Sequence, residues 1–387
     1  MSRRQGSIVE RSPGHWLVRY SINLAAGRRR LAVTVKGDRK TAEKELRRLL
    51  TTADDGTHID PNRMTTGEWL TRWLAAVREK VAPKSHERYG EIVRHFLIPA
   101  FGKLQLTKLA SVHIEDYYST LSTGGRRDGK PGGLSPQTRR HIHRVLSAAL
   151  VRAVDQRLLV RNPCDVFRRE LPKVERHEMT VLNVEQSAQL LDAVRYSHIY
   201  WPVLLALATG MRRGEVLAIR WRNIDLERGS LRIVESLEQT RAGLRFKSPK
   251  TDRSRAVTLP SFVVEELRRL KREQAESLLM VGVRQTGATL VCARADGEPL
   301  QPQSLTHEFP RFLPCLGSDF PRVRFHDLRH SHATQLLSAG VHPKIAQERL
   351  GHSTISTTLD LYSHVSDTMQ EDAAGKIDAA FRAVPRK

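Results

Sequence analysis

A charged segment that contains a proline, residues 172–179 (PKVERHEM), separates two parts of the sequence with different patterning. Such a segment does not continue a hydrophobic core, and 387 residues exceed the size of an ordinary single domain. We therefore predict separately folded domains joined by a linker at residues 172–179. A further boundary is expected near residue 60, between a block of three strands with one helix and a block that is helical throughout.

Residues 1–60 predict a small sheet and one helix. Three short strands are expected at Gly6–Glu10, His15–Ile22 and Arg28–Val35, because turn residues separate them. A helix should follow from about Arg39 to Thr52. The block has 13 Lys and Arg against 7 Asp and Glu, a net charge of +6. A basic unit of this kind fits a reader of a DNA groove, and a structural appendage is the alternative.

Residues 61–171 predict a helical domain. Apolar residues recur at helical spacing in Trp69–Val77 and in Tyr89–Leu97, more typical of a core than of base stacking. Ser135 should be the N-cap of a later helix, with Pro136 at its first position. Residues 180–387 predict a mixed α/β domain, so the fold class is mostly α with small β-sheets. Its first helices and strands are expected at Val184–Val194, Ile199–Ala208, Gly214–Arg220, Ser230–Glu235, Leu244–Lys247 and Ala256–Leu259.

The overall charge predicts a polyanionic partner. The chain has 64 Lys and Arg against 42 Asp and Glu, which gives +22 and an isoelectric point near 10.5. Binding to phosphates releases counterions, so we expect strong, salt-sensitive binding of nucleic acid. The longest apolar run, Val203–Ala208, is too short to cross a membrane. Neither a secretory signal nor a disulfide framework is expected from the N-terminus and the three scattered cysteines.

Two segments of the last domain present basic side chains on predicted turns. In Thr209–Glu215 (TGMRRGE), one helix should end at Gly210 and the next should open at Gly214. Arg212 would then lie on a short turn, where a guanidinium can bind a phosphate through two hydrogen bonds. The segment Ser248–Arg255 lies between two predicted strands, and we expect a hairpin tip that projects a lysine. An exposed basic turn is the alternative in both cases.

Three later segments supply histidines and a tyrosine. In HDLRHSHAT, which begins at His326, helical spacing puts His326, Arg329 and His330 on one face. His326 and His330 also have the spacing of zinc ligands, but Arg329 would place a fixed positive charge beside the cation and the catalytic glutamate of such sites is absent. We therefore predict no metal and no cofactor. LGH (Leu350 to His352) and LDLYSH, which contains Tyr362, complete the set.

These residue types are suited to the cleavage of a phosphodiester without a metal ion. Arginines can neutralise nonbridging oxygens as charge builds in the transition state. A lysine can protonate a leaving oxygen, and a tyrosine can attack phosphorus if nearby positive charge or a base helps its deprotonation.

The order TGMRxGE, PKT, HDLRHSHAT, LGH and LDLYSH resembles the tyrosine recombinase family, also called the phage integrase family. The resemblance covers nearly the whole chain. It implies an arm-type DNA-binding domain at residues 1–60, a helical core-binding (SAM-like) domain at 61–171 and a catalytic domain at 180–387.

The resemblance implies that Arg212 and Arg329 bind the scissile phosphate. His352 would donate a hydrogen bond to the same phosphate, and Glu215 would orient its neighbours in the site.

For the bond-breaking step, the resemblance implies attack by Tyr362 to form a 3′-phosphotyrosine. Lys250 would be the general acid for the departing 5′ oxygen, although Lys247 lies nearby, and His326 would assist proton transfer at the tyrosine. ATP would not be needed.

The resemblance further implies double-stranded DNA attachment sites as substrate, a homotetramer on DNA, accessory DNA-bending or directionality proteins, and a cytoplasmic, nucleoid-associated location in a bacterium. Integration or excision of a phage or other mobile element is the expected function. The alternatives are a Xer-type resolvase, a type IB topoisomerase, a non-catalytic DNA-binding regulator and a metal-dependent nuclease.

Overall fold

The computed structural model describes residues 6–24, 27–54, 64–175, 179–249, 254–359, 374–375, 377–378 and 381–382. The chain divides into two compact units, Met1–Glu175 and Arg176–Lys387. The boundaries predicted at residues 60 and 172–179 stay predictions. Lys250 and Tyr362 lie outside the described residues. Within the described ranges, none of the helices combines enough length and apolar character to cross a membrane.

The first unit opens with a three-stranded antiparallel sheet in the order β1-β2-β3, followed by one helix, as predicted. Val18 and Tyr20 alternate onto the same face of β2 and pack against Ala42 and Leu49 of the helix. Through this small core the helix packs against one face of the sheet. The elements are β1 (Ser7–Ser12), β2 (His15–Leu24), β3 (Gly27–Lys36) and α1 (Arg39–Asp54).

The rest of the first unit is helical, which confirms the prediction. Trp69 is 1% exposed, and its indole Nε1 donates to the carbonyl of Ala149, 3.0 Å away, so the first and last helices of this group are joined. Ser135 is the N-cap of the last helix and accepts from the backbone N of Thr138, as predicted. The helices are α2 (Thr66–Ala76), α3 (Pro83–Ile92), a π-helical turn (Val93–Leu97), α4 (Ile98–Phe101), α5 (Ser111–Thr123), α6 (Pro136–Asp155) and two 3₁₀ turns (Leu106–Lys108, Asp165–Arg169).

The second unit is built around the helix Tyr200–Thr209. Eight of its ten residues are buried, so the helix is apolar on nearly every side and lies in the middle of the core. The helices of this unit are α7 (Val184–Val194), α8 (Tyr200–Thr209), α9 (Arg213–Val216), α10 (Ser261–Met280), α11 (Pro302–Glu308), α12 (Asp327–Ser338), α13 (Pro343–Leu350) and α14 (Ser356–Leu359), with 3₁₀ turns at Trp221–Asn223, Phe309–Arg311 and Leu313–Leu316.

The strands of the second unit form two small antiparallel sheets. One has the order β4-β5-β8, and the other pairs β6 with β7. The strands are β4 (Ile224–Asp225), β5 (Ser230–Ile233), β6 (Ser236–Thr240), β7 (Gly243–Lys247) and β8 (Arg255–Thr258).

The predicted hairpin tip around Lys250 is wrong. Strand β7 pairs with β6 through a tight turn, in which Thr240 faces Gly243 and the glycine has φ +116°. Strand β8 pairs instead with β5, with Leu231 opposite Val257. Residues 248–254 therefore connect two different sheets. The predicted strand Ser230–Glu235 was too long, because the chain leaves the first sheet after Ile233 and enters the second at Ser236.

Candidate active site

Arg212 lies on the turn between α8 and α9, as predicted. Helix α8 ends at Gly210, whose φ is +66°, and Arg212 is the N-cap of α9. A Cβ on Gly210 would stand 2.6 Å from Cδ2 of His332. A Cβ on Gly214 would stand 2.6 Å from the carbonyl oxygen of Leu237. The two glycines of the motif thus allow close approach of α12 and of β6 to this turn.

The guanidinium of Arg212 is fixed by a buried carboxylate. Its Nη1 donates to Oε1 of Glu215 at 2.9 Å, and the backbone N of Arg212 donates to Oε2 at 3.0 Å. Nη2 donates to the carbonyl of Gly351 at 3.2 Å. Glu215 is 1% exposed. Burial raises the pKa of this carboxyl, but the bonds and charges of Arg255 and Arg212 outweigh it, so the pKa lies below its ordinary value and the group is ionised.

Arg329 lies inside the protein and bridges two helix ends. Its Nη1 donates to the carbonyl of Gly210 at 2.6 Å, and its Nη2 donates to that of Leu350 at 2.7 Å. Burial, followed by the neighbouring charge of Arg212, lowers the pKa of this guanidinium to about 9. It therefore keeps its charge at neutral pH. Two of its five N–H groups make these bonds, which align the fork beside Arg212.

His352 lies close to both arginines and is uncharged at neutral pH. Burial lowers the pKa of His352 to about 4, and the charges of Arg329 and Arg212 act in the same direction. Its Nδ1 lies 2.9 Å from Oγ1 of Thr358. The structure thus brings together Arg212, Arg329 and His352, three of the residues that the sequence analysis assigned to one site.

His326 is the N-cap of α12, and its ring meets that of His330 edge to face, with centroids 5.2 Å apart. The pKa of His326 is lowered to about 4, mainly by burial and further by the charges of His330 and Arg329. A neutral imidazole has one nitrogen that donates and one that accepts, so His326 can accept a hydrogen bond at neutral pH.

His332 and Arg349 form a structural cross-brace that the sequence did not reveal. Nδ1 of His332 contacts the carbonyl of Leu207 at 2.7 Å, and Nε of Arg349 donates to its Nε2 at 3.1 Å. Because a carbonyl only accepts, Nδ1 must carry the proton. Burial lowers the pKa of His332 to about 4, consistent with this neutral tautomer. Arg349 also donates to the carbonyls of Ala208 and Thr258, at 2.9 Å each.

Arg255 is a further residue that the sequence analysis missed. Its Nη1 and Nη2 donate to the two carboxylate oxygens of Glu215 at 3.2 and 2.6 Å, and its Nε donates to the carbonyl of Arg349 at 2.9 Å. The only sequence signal was its place in the basic segment after Lys250. No local pattern distinguishes it from Arg253.

Two predicted residues cannot be placed, since Lys250 and Tyr362 lie outside the described residues. Lys247, the rival for the role of Lys250, is described. Its Nζ donates to Oε1 of Glu238 on the neighbouring strand at 2.5 Å. Among the described residues there is no group of three or more His, Cys, Asp or Glu side chains that could hold a metal ion.

Two family models match the sequence. The "Phage integrase family" model matches residues 180–369, and the "Phage integrase, N-terminal SAM-like domain" model matches residues 65–122. Among curated relatives, a "Tyrosine recombinase XerC-like" protein of Caldanaerobacter subterraneus subsp. tengcongensis is 27% identical over 89% of this chain and 90% of its own length. The ICEBs1 integrase of Bacillus subtilis is 28% identical over 80% of this chain and 81% of its own length.

Solved structures share the fold. The Tn1549 transposon integrase, in complex with a circular intermediate DNA, superposes with a TM-score of 0.67 at 19% identity, over 81% of this chain and 99% of that one. A lambda integrase tetramer bound to a Holliday junction gives 0.59 at 18% identity, over 92% and 94%. With the ordered motifs and the convergence of Arg212, Arg329 and His352, these matches identify the chain as a member of the phage integrase family of tyrosine recombinases, which cleave and rejoin DNA.

Proposed function

We propose that the protein is a site-specific DNA recombinase that integrates and excises a phage or another mobile element. The observation that carries the proposal is the convergence of two charged guanidiniums, Arg212 and Arg329, on the neutral imidazole of His352. Fixed positive charge in a largely buried site stabilises the negative charge that builds on a phosphodiester in the transition state. Relatives named as integrases support the mobile-element role.

In the proposed reaction, Oη of Tyr362 forms a bond to phosphorus and the bond from phosphorus to the 5′ oxygen breaks. His326 accepts the proton of the tyrosine, and Lys250 protonates the departing oxygen. The product is a 3′-phosphotyrosine and a free 5′-hydroxyl. The phosphate remains in an ester of similar energy, so a 5′-hydroxyl from a partner strand reverses the step without ATP.

The proposed substrate is a pair of double-stranded attachment sites bound by four protomers. Residues 1–60 would bind arm-type sites through their excess positive charge, residues 61–171 would bind the core site, and residues 180–387 would carry out the chemistry. Accessory DNA-bending or directionality proteins belong to the same proposal, as does a location in the bacterial cytoplasm at the nucleoid.

A Xer-type resolvase is the second candidate, because one relative bears the name XerC-like. Host Xer proteins resemble this chain in the later domains but lack a block that corresponds to residues 1–60. The folded sheet and helix within residues 7–54 therefore favour the integrase. A type IB topoisomerase would use the same chemistry without pairing sites, and a non-catalytic regulator would bind DNA without cleaving it.

Covalent capture tests the proposed function. The protein and its Tyr362→Phe variant are incubated in EDTA with sheared DNA of the source genome, denatured in SDS, and the DNA ends that stay attached are sequenced. We expect ends at one or a few loci, and none with the variant, because phenylalanine has no nucleophilic oxygen.

The other outcomes separate the alternatives. Ends that depend on Tyr362 but are dispersed over the genome support a topoisomerase, and ends at a chromosomal dimer-resolution locus support a Xer-type enzyme. Capture that persists in Tyr362→Phe contradicts the assigned nucleophile. Cleavage that needs a divalent cation, is absent in EDTA and leaves no protein on the DNA ends supports a metal-dependent nuclease. Tight binding without capture supports the regulator.

A further inference from the structure

The carboxylate of Glu215 is shared equally by two arginines. Oε1 accepts from Nη1 of Arg212 at 2.9 Å and from Nη1 of Arg255 at 3.2 Å. Oε2 accepts from the backbone N of Arg212 at 3.0 Å and from Nη2 of Arg255 at 2.6 Å. A carboxylate offers about four lone-pair positions, and these four donors fill them. The position of Glu215 is thus set as much by Arg255 as by Arg212.

The side chain of Arg255 is largely covered by other residues of the second unit. Its side chain is 10% exposed, against 27% for that of Arg212. Its Nε donates to the carbonyl of Arg349, and its guanidinium lies against Gly351, where an added Cβ would stand 3.0 Å from Nη1. Three of its five N–H groups are committed to protein acceptors, against two each in the side chains of Arg212 and Arg329, so its geometry favours a brace over a phosphate ligand.

The brace spans three segments of the site. Arg255 is the first residue of β8, Glu215 lies in α9, and Arg349 lies at the end of α13, just before His352. Arg212 in turn donates to the carbonyl of Gly351. A shift of Glu215 therefore moves the guanidinium of Arg212 relative to the segment that carries His352.

We propose that Arg255 is a positioning residue that holds Arg212 in its catalytic orientation through Glu215. The proposal rests on the proposed function, because it concerns the binding of the scissile phosphate. Lysine at position 255 would keep the charge but could not reach both carboxylate oxygens and the carbonyl of Arg349 together, since it lacks the planar fork. Arg255→Lys is therefore the informative variant.

The control is Arg220→Lys. Arg220 is also a partly buried arginine of this unit, with a side chain 20% exposed, and it donates to Glu235 and to the carbonyl of Ala288. In a single turnover on a nicked substrate that traps the covalent product, we expect Arg255→Lys to react about 100-fold more slowly, the effect of displacing a reacting group by about an ångström. Its DNA affinity should equal that of the parent, and Arg220→Lys should react at the parental rate.

Two modified substrates show which catalytic group the brace serves. A methylphosphonate at the scissile position lacks one anionic oxygen, so less negative charge builds up for Arg212 to neutralise. The ratio of the parental rate to the variant rate should therefore be smaller on this substrate. When sulfur replaces the bridging 5′ oxygen, the leaving group departs without a general acid. Such a substrate therefore restores the rate of variants whose defect is the loss of the lysine that acts as the acid. The defect of Arg255→Lys should persist there.

The outcomes are distinct. A parental rate for Arg255→Lys, or full rescue by the bridging sulfur, overturns the role through Arg212. Weakened DNA binding with unchanged chemistry does so as well. If Arg255→Lys fails to fold, Arg255→Gln takes its place, and loss of folding in both makes Arg255 a structural residue instead. Failure of the parent to form any covalent product overturns the proposed function and the positioning role together, whereas parental capture with an unaffected variant overturns the positioning role alone.

Discussion

At the scale of single residues, the contacts of Lys247 bear on which of the two lysines near the end of β7 is the general acid. The ammonium of Lys247 donates to Glu238 at 2.5 Å, and the side chain of Glu238 is only 12% exposed. Such a pair holds the amine on the sheet and opposes its transfer of a proton to a substrate. Lys250 lies three residues further on, in the connection between the two sheets. The contacts of Lys247 thus favour Lys250 as the general acid.

We expect Lys250→Ala to slow covalent capture by about 10²- to 10⁴-fold, the usual contribution of a general acid. Lys247→Ala is the matched control, and it should cost only the cross-strand pair, about 0.2–1 kcal/mol of stability. Single-turnover capture of both variants, with an oxygen or a sulfur at the bridging position, measures the difference. A large loss in Lys247→Ala that the sulfur restores would instead identify Lys247 as the acid.

The sequence predicted those contacts of the site that are local along the chain. The resemblance implied that Glu215, three residues after Arg212, orients its neighbours, and helical spacing put His326 and Arg329 on one face. Arg255 reaches Glu215 across 40 residues, and Arg349 reaches Ala208 across 141. Neither residue has a local pattern that sets it apart from other basic residues. Their roles become visible only when separate strands and helices are packed together.

At the scale of elements, the end of α8 depends on Gly210. Its carbonyl accepts from Arg329, its φ is +66°, and a Cβ there would lie 2.6 Å from both His332 and Leu350. Gly340, after α12, has a similar φ of +76°, but a Cβ there would meet nothing within 4 Å. The two glycines separate backbone strain from crowding.

We expect Gly340→Ala to cost about 1–2 kcal/mol, the strain of a left-handed alanine. Gly210→Ala should add about 1–3 kcal/mol for overpacking. Hydrogen–deuterium exchange of the α8 and α12 peptides in the full chain gives the local free energies. Equal effects of the two substitutions would contradict the close packing of α8, α12 and α13 at this point.

Element types were easier to predict than strand partners. Helices α7 and α8 and the three N-terminal strands were predicted nearly at their observed bounds, because the turn residues that end such elements are local signals. The predicted helix Gly214–Arg220 ends at Val216 instead, because the chain beyond it bonds to another segment: the backbone N of Val291 donates to Ile219. The pairing of β8 with β5 is likewise a long-range choice that no local pattern contains.

At the scale of the whole molecule, most of the net positive charge lies in the first half of the sequence. Residues 1–60 carry +6 of the total of +22, and residues 126–176 carry +8. Each phosphate that a basic side chain neutralises adds about −0.9 to the slope of log affinity against log salt. If residues 1–60 bind a DNA segment of their own, their contribution to the salt dependence of the affinity should appear only on DNA that contains this segment.

Deletion of residues 1–60 tests this division. We expect the shortened chain to cleave a core site at the parental rate, because its helical core and the Arg212 site use residues beyond the deletion. Recombination between substrates with flanking arm sites should fall strongly, and on such DNA the salt slope should become shallower by about 0.9 for each lost phosphate contact. On core-only DNA the two proteins should show the same slope. Recombination by the shortened chain at the parental level on arm-containing DNA would show that residues 1–60 are a structural appendage, and an equal loss of slope on both DNAs would show that the block binds without regard to site.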